Sequence, residues 1–159
     1  MPLDFTVVIT VRQRFGDAEA DDVGLETDAP FVGREKDFVF SCPNVDSSQP
    51  AVLLFQSQGV MFQQPMTING QTVFGGIPSS IDIAPLGFVN QQGMVQAVII
   101  AQWKGNVMLV TPGVLRENNV LHIESREIPD TGNVDDFVID NLVVLFKTRS
   151  GVIGPVGTI

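Results

Sequence analysis

The only imidazole in the chain is His122, which shares a strand face with Glu124. Alternation along this segment places Leu121 and Ile123 on the core side, and His122 and Glu124 on the opposite side. A histidine that acts as a general base needs a nucleophile beside it, but the chain has no G-x-S-x-G motif and Cys42 has no identifiable partner. We therefore expect a surface histidine next to a glutamate, with ligand contact as the alternative, and no catalysis by this chain.

Carboxylates elsewhere offer two further chemistries. Glycoside hydrolysis needs two acidic groups that flank one bond, and Glu124 and Asp140 are the pair available. No cleft is predicted around them, so this activity is not expected. Oxygen ligands for Ca²⁺ gather at Asp130, Asn133 and Asp136, but their spacing departs from that of a calcium-binding loop. We expect a solvated acidic turn, with a structural Ca²⁺ site as the alternative, and no other cofactor.

Recognition by stacking and hydrogen bonding is the third chemistry. Trp103 has the parity of Ile99 and Ala101, which favours a core position, and an exposed stacking platform is the alternative. Gln56 belongs to an amide-rich set of side chains that can donate to and accept from sugar hydroxyls, although such residues are also ordinary on surfaces. The candidate ligand-binding residues are therefore Trp103, Glu124, Gln56 and His122.

Composition excludes several classes of protein. The 159 residues and 17.2 kDa are the size of one domain, and 44% hydrophobic residues are enough for a full core. One cysteine excludes an internal disulfide framework, and one histidine with one cysteine excludes the usual zinc sites. Eighteen acidic against nine basic residues give a net charge of −9, which argues against nucleic acid as a partner.

The elements that must position these residues are strands. β-Branched and aromatic runs alternate with Gly and Pro at short intervals, and this pattern is typical of an all-β sandwich. Asn69-Gly70 predicts a type I′ hairpin turn, and the segment 104–106 predicts a second hairpin. The predicted strands cover residues 5–15, 37–41, 51–58, 66–68, 71–74, 80–83, 95–103, 107–110, 120–126 and 137–148.

Loops and termini complete the predicted organisation. Residues 16–30 carry six acidic residues and no basic one, so we expect a solvated loop within a single domain that spans residues 1–149. Residues 150–159 alternate Gly or Pro with aliphatic side chains, which indicates a frayed tail or an arm that docks on a neighbour. The first residues do not have the pattern of a signal peptide and no apolar run is long enough for a membrane span, so we expect a protein without either and, by default, a cytoplasmic one.

Four segments share one pattern of strands and turns: Ala51-Val-Leu-Leu-Phe-Gln-Ser-Gln-Gly-Val60, Thr67-Ile-Asn-Gly70, and the strands in residues 115–125 and 136–147. Through these segments, residues 51–147 resemble the jelly-roll β-sandwiches of galactose-binding-domain-like and carbohydrate-binding modules. This resemblance implies a jelly-roll fold and binding without catalysis, often of glycans and often with a structural calcium ion. The chain departs from the pattern because it has no Tyr and one Trp, whereas sugar sites generally offer several aromatic platforms.

Two functions are consistent with these observations. The first is a non-catalytic binding module that recognises a glycan around Trp103, Glu124 and Gln56. The second is an assembly protein, because residues 95–101 and 142–146 are apolar on both faces and such strands can meet a second subunit. The sequence therefore predicts an acidic β-sandwich with a glycan or a homo-oligomer as its partner.

Overall fold

A computed structural model describes residues 2–17, 24–73, 75–89 and 95–150, with the backbone alone for residues 83–89 and 95–98. No helix within these ranges is long and apolar enough to cross a membrane. The strands that they contain are β1 Leu3–Ile9, β2 Gln13–Phe15, β3 Phe31–Gly33, β4 Glu35–Ser41, β5 Ala51–Gln58, β6 Met66–Ile68, β7 Gln71–Thr72, β8 Ile81–Val89, β9 Val95–Ala101, β10 Trp103–Val110, β11 Asn118–Glu124 and β12 Phe137–Lys147.

The larger sheet is built around β12. One edge of β12 pairs with β5, which pairs in turn with β10, and the other edge pairs with β2 near its start and with β1 near its end. The short strand β3 extends the sheet beyond β2 as a parallel neighbour. The sequence predicted one strand over residues 5–15, and this is wrong because irregular pairing with β12 divides the segment into β1 and β2.

The smaller sheet has the order β4-β11-β6-β7, and it shares one hydrophobic core with the larger sheet. Leu53 and Phe55 of β5 are buried in this core from one side, and Leu121 and Ile123 of β11 from the other. The predicted all-β sandwich is therefore confirmed, together with the predicted parity of β11. The finer prediction of a jelly-roll topology stays a prediction.

One of the two predicted hairpins is confirmed. Asn69 and Gly70 both have positive φ values, 53° and 78°, as a type I′ turn requires, and they join β6 to β7. The second predicted hairpin is wrong because Gly105 and Asn106 lie within β10, which pairs with β5 along its whole length. Asn106 faces the core, where its Nδ2 donates a hydrogen bond of 2.9 Å to Ser57 Oγ.

The segment 24–30 packs onto the larger sheet, although the sequence predicted a solvated loop. Leu25 and Ala29 are buried against Ala101 and Val138. The Gln58 side chain fixes this segment because its Oε1 accepts from the backbone N–H of Glu26 at 2.9 Å, and its Nε2 donates to a loop carbonyl at 3.0 Å. Residues 18–23 of the predicted acidic loop, and residues 151–159 of the predicted tail or arm, lie outside the described residues.

We predict that the two neighbouring residues of β11 differ sharply in their contribution to stability. Leu121 is fully buried, so Leu121→Ala should lower the free energy of unfolding by about 2–5 kcal/mol. Val120 points outward and is 38% exposed, so Val120→Ala should cost about 1 kcal/mol or less. Urea unfolding of the two variants measures both values, and equal losses would contradict the assigned orientation of β11.

The buried Cys42 thiol predicts a pH dependence. Burial is the main factor that raises the pKa of Cys42 from 9.0 to about 11. The unfolded thiol therefore ionises first, so this group's contribution to stability is complete below pH 9 and is lost as the pH rises towards 11. Urea unfolding across this range should show a smaller loss of stability for Cys42→Ala than for the wild type. Identical pH dependences would contradict the prediction.

Candidate functional site

The structure divides the predicted ligand-binding residues between two opposite surfaces. Trp103 and Gln56 lie on the outer face of the larger sheet, and His122 and Glu124 lie on the outer face of the smaller one. The core that both sheets share lies between these faces. The four residues therefore cannot line one small site together.

On the larger sheet, a β-bulge in β12 creates a polar site. Asp140 pairs with Gln56 and Val143 pairs with Leu54, so β12 places one residue more than β5 between these two pairs. The bulge puts Asn141 into the left-handed region at φ 50°, which is uncommon for a residue other than glycine. Bulges often re-aim a side chain next to a binding site. Here the bulge leaves the Asn141 amide exposed beside Gln56.

We call Gln56, Gly105, Asp140 and Asn141 the bulge site. Asn141 Nδ2 donates a hydrogen bond of 3.2 Å to Gln56 Oε1, and the Asn141 backbone N–H donates to Asp140 Oδ1 at 2.8 Å. Gly105 pairs with Gln56 from β10, and a side chain at this position would meet no atom within 4 Å. The site borders an open depression of about 470 Å³, which is lined by Leu54, Phe55, Gln56, Gly105, Asn106, Val107 and Asn141.

Trp103 lies beside the bulge site under a network of charged side chains. Trp103 is 38% exposed, and its Nε1 donates a hydrogen bond of 3.2 Å to Glu26 Oε1. The Arg12 guanidinium lies 5.4 Å from the ring centroid, forms an ion pair with Glu26, and lies 3.4 Å from Asp140 Oδ2. Trp103 is therefore partly exposed on the surface of the sheet and is not a core residue. Arg12 was not anticipated from the sequence as a residue of this site.

The two carboxylates considered for hydrolysis, Glu124 and Asp140, lie on different outer faces. Asp140 is held by Arg12 on the larger sheet, whereas Glu124 Oε1 lies 3.8 Å from Arg126 Nε on the smaller one. Since the shared core separates these faces, the two groups cannot flank one glycosidic bond. The cross-strand neighbour of Glu124 is instead Glu35.

His122 is held by acidic side chains of the neighbouring strand β4. Its Nδ1 lies 2.6 Å from Asp37 Oδ1, and its Nε2 lies 3.7 Å from Glu35 Oε2. Both contacts link β11 to β4 on the outer face of the smaller sheet. Glu124 borders a depression of about 520 Å³, whose lining includes Arg34, Glu35 and Arg126.

The three candidate calcium ligands occupy different parts of one loop. Backbone pairing between Glu127 and Val134 closes this loop, so that Asp130 lies at its tip and Asp136 beyond its base. Asp136 is buried, and its Oδ1 accepts a hydrogen bond of 3.1 Å from the backbone N–H of Asp17. Asn133 is exposed at the base of the loop, directly before Val134. In the described part of the chain, no group of three or more His, Cys, Asp or Glu side chains could hold a metal ion.

No protein-family model and no curated protein sequence matches this chain. Three solved structures are similar to it. The structure of BuGH86wt in complex with neoagarooctaose is 15% identical with a TM-score of 0.37, and the match covers 90% of this chain and 19% of that one. A catalytic domain of a GH87 alpha-1,3-glucanase in complex with tetrasaccharides is 11% identical with a TM-score of 0.37, and the match covers 94% of this chain and 29% of that one. The enzymatically active domain of bacteriophage CBA120 tailspike protein 4 is 14% identical with a TM-score of 0.31, and the match covers 90% of this chain and 19% of that one.

These similarities correct one prediction from the sequence. The sequence predicted no catalysis by this chain; this prediction is corrected, since a catalytic domain and an enzymatically active domain are among the similar structures. The chain spans less than a third of the length of each of them. The resemblance to galactose-binding-like modules is supported only at the level of a β-sandwich-type fold. At these TM-scores the similarities assign no activity, so the function proposed below depends on the geometry of this chain.

We predict that Arg12 shields the indole ring of Trp103, the only tryptophan in the chain. Arg12→Met keeps an unbranched apolar side chain but removes the guanidinium, so quenching of tryptophan fluorescence by acrylamide should increase. Stability should fall by about 1–3 kcal/mol, because the buried Asp140 carboxylate loses its cationic partner. Arg116→Met is the matched control and should leave quenching unchanged. If both variants quench as the wild type does, Arg12 does not cover the ring.

Proposed function

We propose that this chain binds carbohydrate at the bulge site, with Trp103 at its border. The observation that carries the proposal is the bulge in β12, which leaves the Asn141 amide exposed next to the Gln56 amide on an open sheet face. A residue other than glycine in the left-handed region at mid-strand costs free energy, and such strain is concentrated at functional sites.

The two amides have the hydrogen-bonding groups that sugar hydroxyls require. Their mutual hydrogen bond uses one N–H of Asn141 Nδ2 and Gln56 Oε1. Within the described ranges, the Gln56 Nε2 donors and the Asn141 Oδ1 acceptor have no protein partner, and both side chains are exposed. A sugar hydroxyl both donates and accepts, so one hydroxyl can bridge these groups. Gly105 leaves open the space that a side chain would fill beside Gln56.

Charged and aromatic groups extend the site on one side. The Asp140 carboxylate is buried and is held by Arg12, whose exposed guanidinium lies between it and Trp103. Trp103 precedes Gly105 by two residues, so both lie on the same outer face of β10. The part of Trp103 that Arg12 leaves exposed offers an apolar surface against which the C–H face of a pyranose ring can pack. A ligand that spans the Gln56–Asn141 pair and Trp103 would meet polar contacts at one end and an apolar contact at the other.

A binding experiment tests this proposal. The purified chain is applied to a glycan array that includes agar-derived and α-1,3-linked glucan oligosaccharides, and hits are titrated by calorimetry. Asn141→Gly tolerates the positive φ but removes the amide, so it should weaken binding at least about tenfold, which corresponds to about 1.4 kcal/mol. Trp103→Ala should weaken binding by a similar factor.

Glu124→Gln is the matched control because Glu124 lies on the opposite outer face, and this variant should bind as the wild type does. No binding across the array would contradict carbohydrate recognition. Binding that survives both Asn141→Gly and Trp103→Ala but fails in Glu124→Gln would contradict the site and would move it to the smaller sheet.

A further inference from the structure

The bulge site and Trp103 lie in a surface region with an excess of negative charge. The Glu26 and Asp140 carboxylates flank the Arg12 guanidinium, with which Glu26 forms an ion pair and from which Asp140 Oδ2 lies 3.4 Å. Among the described residues, no second basic side chain forms an ion pair with either carboxylate. Two carboxylates and one guanidinium therefore leave one negative charge uncompensated beside the site.

Other charged side chains nearby do not supply the missing positive charge. Arg14 of β2 and Asp136, directly before β12, are both buried, and their opposite charges add no net charge. Lys104 follows Trp103 but has the opposite parity, and its Nζ donates a hydrogen bond of 3.2 Å to a loop carbonyl. Asp28 is exposed in the loop segment that packs onto this sheet, and it adds a further negative charge.

We propose that the bulge site selects neutral oligosaccharides and rejects those that carry a negative charge. This inference rests on the carbohydrate binding proposed above and names the class of sugar that the site takes. A binding site gains specificity when like charges oppose the wrong ligand, and here Glu26 and Asp140 would oppose an anionic sugar. The net charge of −9 adds a long-range repulsion in the same direction.

Arg12 is the cation that an anionic sugar would have to recruit. Its Nη1 is paired with Glu26, and its Nη2 lies 3.4 Å from Asp140 Oδ2. An anion that took over the guanidinium would displace one of these carboxylates. Displacement of Asp140 would leave a buried charge without its partner, which is strongly unfavourable. A neutral hydroxyl avoids this penalty because it exchanges hydrogen bonds with the Gln56 and Asn141 amides.

Calorimetry with matched oligosaccharides tests this proposal. The neutral probes are an agar-derived tetrasaccharide and an α-1,3-linked glucose tetrasaccharide. Each is compared with two derivatives in which every primary hydroxyl carbon is converted, to a carboxylate in one and to a carboxamide in the other. Because the carboxamide is neutral and has nearly the same shape, the ratio of the carboxamide affinity to the carboxylate affinity measures discrimination by charge.

The expected discrimination depends on salt. We expect the carboxylate forms to bind at least about tenfold more weakly than the carboxamide forms at about 10 mM salt. The two affinities should approach each other at about 1 M salt, because the Debye length shrinks from about 30 Å to about 3 Å.

Glu26→Gln tests whether the charge beside the site is responsible. This substitution keeps an acceptor for Trp103 Nε1 but removes one negative charge next to Arg12, so the affinity ratio should fall severalfold. Glu124→Gln is the matched control, because it removes the same charge from the opposite outer face and should leave the ratio unchanged. Circular dichroism and urea unfolding establish that both variants are folded.

The contrary results separate two failures. If no neutral oligosaccharide binds, on the array or in calorimetry, carbohydrate recognition itself is contradicted and this inference falls with it. If the neutral sugars bind but the carboxamide forms bind no better than the carboxylate forms, the inference alone is overturned. It is also overturned if Glu26→Gln leaves the ratio unchanged or if Glu124→Gln lowers it equally, because the charge beside the site would then not discriminate.

Discussion

The pairing of β12 is the constraint on which the rest of the structure depends. This strand has neighbours on both edges and contributes buried side chains such as Phe137, Leu142 and Phe146 to the core. Because side chains alternate across a sheet, a shift of one residue would exchange the core side chains for outward ones. The bulge between Asp140 and Val143 satisfies both halves of the strand, because it absorbs one extra residue while each half keeps its apolar side chains in the core.

The position of the bulge links the fold to the proposed binding surface. The bulge places Asn141 on the outer face, because the side chains of Ile139 and Leu142 on either side of it are buried in the core. Asp140 lies on the side of β12 away from the core, where it forms an ion pair with Arg12. Arg12 belongs to the segment that connects β1 to β2. The strained backbone, the exposed amide and the charged network near Trp103 therefore have one physical origin, which is the register of β12 against β5.

Local signals in the sequence predicted the strands better than they predicted the connections. The Asn69-Gly70 hairpin was predictable because the required positive φ values are properties of these two residues. The residues around Gly105 have the local pattern of a turn, but they lie in a strand. They are held there by pairing with residues of β5, about fifty positions earlier in the chain. Burial of Leu25 likewise depends on the distant Gln58 amide, which local composition cannot indicate.

The candidate site was predicted only in part for the same reason. Trp103 and Gln56 were identified by residue type, and the structure brings them onto one face, but it places His122 and Glu124 on the other. Asn141 could have been recognised from the rarity of Asp-Asn within a predicted strand. Its orientation, however, follows from pairing with β5, which a single sequence does not reveal.

The most direct test of the central claim is nuclear magnetic resonance of the ¹⁵N-labelled chain during titration with an oligosaccharide that binds. We expect the side-chain amide signals of Asn141 and Gln56 and the indole signal of Trp103 to shift together, while the backbone signals of Val39 and His122 stay in place. Shifts confined to the surface around His122, with the Asn141 and Gln56 amides unchanged, would contradict it.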